Sequence, residues 1–125
     1  MFRIGFIIAI LLLSGRVSAH QMTPTYPKLE PSFMDGVLRT KMSLFNKRDD
    51  VRFYEINVFD VNWNPLEFAT TERVLQVNYL QTKNFEVYIR VADKDKVTYI
   101  CTRSKLQSRG AAVPLVSSRI CSKIK

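Results

Sequence analysis

Three observations predict an all-β fold, an immunoglobulin-like antiparallel β-sandwich of about seven strands. Apolar and polar residues alternate with period two along most of the chain, helical periodicity is hard to find after the first 19 residues, and turn-forming clusters interrupt the alternation at short intervals. Residues 37–46, VLRTKMSLFN, set Leu38, Thr40, Met42 and Leu44 against Arg39, Lys41 and Ser43, which predicts a half-buried strand. Residues 51–61, VRFYEINVFDV, are apolar on both faces, with Phe53 and Phe59 opposed to Tyr54, Ile56 and Val58, as in a central strand. Residues 84–91 oppose Phe85, Val87 and Ile89 to Glu86, Tyr88 and Arg90, and residues 96–104 oppose Val97, Tyr99 and Cys101 to Thr98, Ile100 and Thr102. Between these runs lie NKRDD (46–50), NWNP (62–65), QTKN (81–84), DKDK (93–96) and SRGAAVP (108–114), all rich in turn residues. No internal repeat, low-complexity segment or interdomain linker is visible.

The first 19 residues follow a different rule. Arg3 precedes the apolar run FIIAILLL (6–13), and the segment ends on the small-x-small triplet Val17-Ser18-Ala19. A positive start, a short apolar run and a small-residue ending predict a secretory signal peptide cleaved after Ala19. An uncleaved anchor is the alternative, although a span needs about 20 apolar residues and this run is much shorter. The expectation is a single sandwich domain over residues 20–125, periplasmic or secreted, with no membrane span after cleavage.

Charge and cysteine content agree with that compartment. The formal net charge is +8. Seven basic residues (Lys96, Arg103, Lys105, Arg109, Arg119, Lys123 and Lys125) follow position 95 with no acid among them. A basic end of this kind meets an acidic surface or a carboxylate, or serves as a solvated face that keeps the protein soluble. Cys101 and Cys121, the two cysteines, are read first as one disulfide. An antiparallel hairpin of residues 96–104 with 115–122, its loop centred near Ala111, sets Cys101 opposite Cys121. Opposed residues in a non-hydrogen-bonded pair come within about 4.5 Å between Cα atoms, near the span a disulfide accepts. A one-residue slip would leave two free thiols on opposite faces.

Four stretches in chain order carry a resemblance: MTPTYPKLEPS (22–32), the Asn46 that closes a strand before a charged turn, RVLQVNYLQTKNFEVYIRV (73–91) and KVTYICTRSKL (96–106). Together they resemble the N-terminal domain of the PapD-like periplasmic pilus chaperones. The resemblance implies binding by strand addition, in which main-chain hydrogen bonds supply affinity and alternate side chains fill a groove in the partner. It places the binding edge in residues 113–124, with Val116 and Ile120 as groove contacts and Arg119 and Lys123 as cationic anchors; the alternatives are a core-facing strand and two cations that guard an open edge. It also implies a basic residue near the first strand, where Lys28 stands two positions away from the family's place. The expectation of one domain departs from the family's two, and a one-domain relative can keep the fold and change its work.

Other chemistries find little support. With a single histidine, no Ser-His-Asp or Cys-His set can be built unless His20 itself serves, and no Gly-rich phosphate loop or paired-carboxylate motif stands out; no enzyme activity is expected. Cleavage after Ala19 makes His20 the first residue, and an N-terminal amine with an imidazole can chelate copper. That chemistry needs further ligands, and only Met22 and scattered acids lie nearby, so no cofactor is expected. Nucleic acid is not expected either, because the aromatics occupy strand positions suited to packing. Trp63, in the turn NWNP, is the large aromatic expected to be exposed, as a contact residue or as a loop plug. The expected function is an extracytoplasmic protein-binding module, chaperone-like or assembly-accessory, whose partner is another extracytoplasmic protein such as a pilus or surface-assembly subunit. The alternative is a structural subunit of a cell-surface or virion assembly, and homo-oligomer formation stays open.

Overall fold

The computed structural model describes residues 20–105 and 117–125. The expected signal segment and Val116 lie outside the described residues. Among the described residues, eight strands run in the order β1 (His20–Thr23), β2 (Glu30–Pro31), β3 (Val37–Asn46), β4 (Phe53–Phe59), β5 (Val74–Gln76), β6 (Thr82–Arg90), β7 (Tyr99–Lys105) and β8 (Arg119–Lys123), with a short 3-10 turn at Val91–Asp93 before β7. All pairings are antiparallel, and the strands form two sheets that pack face to face as the immunoglobulin-like sandwich the alternation predicts.

In the first sheet β3 is central. β6 pairs with it along its length from Val37 to Phe45, while β1 and β2 pair with its two ends on the opposite side. The second sheet has the order β5-β4-β7-β8. Strands β6 and β7, consecutive in the chain, therefore lie across the sandwich from one another. Their connection is tied down by Asp93, which is buried, accepts hydrogen bonds from the Arg90 guanidinium at 2.9 Å, and offers its carbonyl to the N–H groups of Lys96 and Val97.

The period-two pattern becomes burial directly. Met42 and Leu44 of β3, Tyr54, Ile56 and Val58 of β4, Phe85, Val87 and Ile89 of β6 and Ile100 of β7 form the core, with Met22, Val51, Leu75, Val77 and Val97. Each such side chain contributes roughly 1.5–3 kcal/mol when fully buried. Leu29, Leu66, Phe68, Ile120 and Ile124 pack around this core.

β8 is the outermost strand of its sheet, as the sequence predicts, and runs over Arg119–Lys123; residues 113–116 of the expected edge lie outside the described residues. The strand is not open along its full length. Past β1 the chain crosses to the second sheet, where the carbonyls of Thr25 and Pro27 accept hydrogen bonds from the N–H groups of Lys123 and Lys125 at 3.2 and 3.0 Å. Residues 25–27 thus cap the C-terminal half of the β8 edge. Among the described residues, no helix is long and apolar enough to cross a membrane.

Candidate functional site

The outer face of the β5-β4-β7-β8 sheet carries the arrangement with the clearest functional character. It begins in the turn after β4. The Asp60 carboxylate accepts from the backbone N–H of Asn62 at 2.8 Å, the backbone N–H of Asn64 at 2.9 Å and the Asn64 side-chain amide at 3.1 Å. These bonds, led by the Asn64 N–H, hold the Asp60 carboxyl below its ordinary range. The Trp63 N–H closes the turn on the Asp60 carbonyl at 3.1 Å, and Trp63 takes a φ of 64°. A bulky residue in the left-handed region costs about 1–3 kcal/mol and persists only where its surroundings enforce it.

What the turn achieves is the placement of one ring. Trp63 stacks on Tyr99 of β7 with centroids 4.1 Å apart and planes 1° from parallel, and Phe59 approaches it at 5.8 Å. The Arg119 guanidinium of β8 lies 5.0 Å from the Trp63 centroid and 5.6 Å from that of Phe59, a cation–π contact with both. Trp63 remains 44% exposed. Lys123 is paired with Tyr99 in the sheet register, on the same face. Farther along, Glu55 binds Lys105 at 2.7 Å and Arg103 at 3.9 Å, and its carboxyl is lowered chiefly by Lys105.

The disulfide lies within this face. Cys101 and Cys121 are register partners and are joined, with Cα atoms 4.0 Å apart. The hydrogen bonds Ser104 N–H to Ser118 C=O and Ile124 N–H to Thr98 C=O flank the ladder, so alternation makes Cys101–Cys121 a non-hydrogen-bonded pair. By the same alternation the main-chain groups of Arg119 and Cys121 point away from β7, along the sheet edge.

Of the residues the sequence singles out, Trp63, Arg119 and Lys123 come together on this face, although the chain separates the first from the others. Ile120, which the sequence assigns to a partner's groove, is an even-numbered residue of β8 that points inward and lies half-buried against the core with Ile124. Lys28 is exposed and follows Pro27, which bonds Lys125; it sits at the capped end of β8, away from Arg119. A cleft of about 840 Å³ opens elsewhere, between residues 70–72 and 83–86, but its rim sets Lys41 and Lys83 against Glu72 and Glu86 without a directional charge.

Inside the sandwich runs a polar chain that sequence reading misses. The His20 ring, 2% exposed, places Nε2 3.0 Å from Thr102 Oγ1 and Nδ1 3.4 Å from Ser118 Oγ. Thr102 donates to Met22 Sδ at 3.6 Å, which leaves its oxygen to accept from Nε2–H. His20 also meets the Tyr54 ring at 4.7 Å. The Tyr54 hydroxyl donates to Asn46 Oδ1 at 2.5 Å, Arg48 N–H reaches the same oxygen at 2.9 Å, and Asn46 Nδ2 donates to the carbonyls of Val51 and Val77 at 2.7 and 2.9 Å. Both His20 ring nitrogens are thus engaged by hydroxyls, and among the described residues no group of three or more His, Cys, Asp and Glu gathers.

Comparison with protein-family models gives no match. Comparison with curated protein sequences gives none either.

Proposed function

We propose that this protein is a protein-binding module of an oxidising, extracytoplasmic compartment, chaperone-like or assembly-accessory, that engages its partner by strand addition at β8. One observation carries the reading. β8 ends its sheet with the main-chain groups of Arg119 and Cys121 directed outward and unpaired among the described residues, while residues 25–27 cap only its far half. The resemblance of residues 22–32, 73–91 and 96–106 to PapD-like chaperone domains supports it, as does the disulfide.

Amide hydrogen exchange tests strand addition directly. In a complex captured from the envelope fraction, the Arg119 and Cys121 amides are expected to exchange at least about tenfold more slowly than in the free protein. Unchanged exchange at both amides in a saturated complex refutes the edge mode. Replacing Arg119 and Lys123 by Ser separates two roles for these cations: self-association of the variant marks them as edge guards, and loss of partner capture by a monomer marks them as anchors. Retention at fixed copy number in a finished assembly would make the protein a structural subunit.

A further inference from the structure

We propose that the outer face of the β5-β4-β7-β8 sheet, centred on Trp63 and Arg119, binds an acidic polypeptide segment of the partner. The inference rests on the protein-binding reading above and adds to it a face, distinct from the strand edge, and a chemistry. Its first support is charge complementarity. Alternation puts Arg103, Lys105, Arg119 and Lys123 on this face, and the strands bring a single acid to it, Glu55, which Lys105 and Arg103 already share. Asp60, in the adjoining turn, is consumed by its own three hydrogen bonds. Arg119 and Lys123 have no carboxylate within ion-pair distance among the described residues.

The second support is the fixed ring. The left-handed backbone at Trp63, the Asp60 turn and the parallel stack on Tyr99 hold a half-exposed indole in one orientation beside a guanidinium. Trp, Tyr and Arg are enriched among the side chains that dominate binding energy at protein interfaces, and an indole brings large contact area at small entropic cost. Nucleic acid suits the face less well. Trp63 and Tyr99 spend a π-face on each other, whereas a base-stacking platform needs successive free rings.

Trp63 is the sole tryptophan, so its emission reports on this face in the unmodified protein. Titration with poly-L-glutamate is expected to change Trp63 emission saturably. In anisotropy measurements with a labelled glutamate-rich peptide, Arg119→Gln and Lys123→Gln are each expected to weaken binding about tenfold. Lys83→Gln, on β6 in the opposite sheet, removes the same charge and is expected to change binding less than about twofold. A flat emission titration overturns the proposal, as does an equal loss from Lys83→Gln, which would reduce the effect to general attraction. Tighter binding of single-stranded oligothymidylate than of poly-L-glutamate overturns it in favour of nucleic acid. The two readings fail separately: an emission response without slowed exchange at Arg119 and Cys121 leaves the face and removes the edge mode, and slowed exchange with a flat emission titration does the reverse.

Discussion

His20 enters the core as a neutral ring. Burial, aided by the nearby Arg48 charge and opposed by hydrogen bonding to the Thr102 backbone, lowers its pKa from 6.5 to about 4. The neutral form is the one the fold accepts, so the stability contributed is present above pH 6.5, where the unfolded chain is also unprotonated. It is lost as the pH falls toward 4, because the unfolded chain takes up a proton first. The total is about 3 kcal/mol. Urea unfolding at pH 7 and pH 4.5 is expected to show this loss, and His20→Gln to flatten that part of the profile; an unaltered slope in the variant would assign the pH dependence to other groups. Asn46 makes a contrasting prediction without titration. All four of its side-chain hydrogen-bonding positions are filled, so Asn46→Ala strands the carbonyls of Val51 and Val77 together with the Tyr54 hydroxyl and is expected to cost about 3–5 kcal/mol. Tyr54→Phe, which leaves the Arg48 N–H on Asn46, is expected to cost about 1 kcal/mol by the same measurement. Equal losses would show that Asn46 is no hub.

At the scale of elements, the disulfide holds β7 against β8. It closes a loop whose ends are 20 residues apart, which in the chain-entropy model contributes roughly 3 kcal/mol. Reduction is therefore expected to lower the melting temperature by more than about 10 °C, read by thermal unfolding with and without a thiol reductant. A change of under a few degrees would mean that the loop is already restrained in the unfolded chain. This pairing was legible beforehand because a hairpin has one free parameter, the loop centre, and two cysteines fix it. The faces of β3, β4 and β6 were legible for a related reason: a two-residue period assigns each side chain to a side whatever strand lies beside it. Neighbours were less accessible. The alternating runs around β6 and β7 follow each other closely in the chain, yet only tertiary packing decides that they enter different sheets. The inward turn of Ile120 was hidden likewise, since residues 113–124 are apolar on both sides and the core side is set by the ladder with β7.

For the whole molecule, the division of charge is as informative as the fold. The basic residues after position 95 read as one tail in the sequence, but β7 and β8 fold Arg103, Lys105, Arg119 and Lys123 back onto one outer face. That Arg119 lies beside Trp63, and Lys123 beside the Tyr99 on which Trp63 stacks, follows from register and turn geometry that no local pattern contains. The buried chain from Ser118 through His20 is equally nonlocal, because His20 and Thr102 stand 82 residues apart. Such contacts join both sheets at one end of the sandwich, and no motif announces them.

The disulfide also determines how the fold bears tension. A pull applied at Lys125 meets the main-chain bonds to Thr25, Pro27 and Thr98, and then Cys121. From there the load passes through sulfur into β7 at Cys101 and bypasses the residues between. The chain between the two cysteines, roughly 70 Å at full extension, can lengthen the path only after reduction. In its oxidised form the sandwich is therefore a short tether, and in its reduced form a longer one.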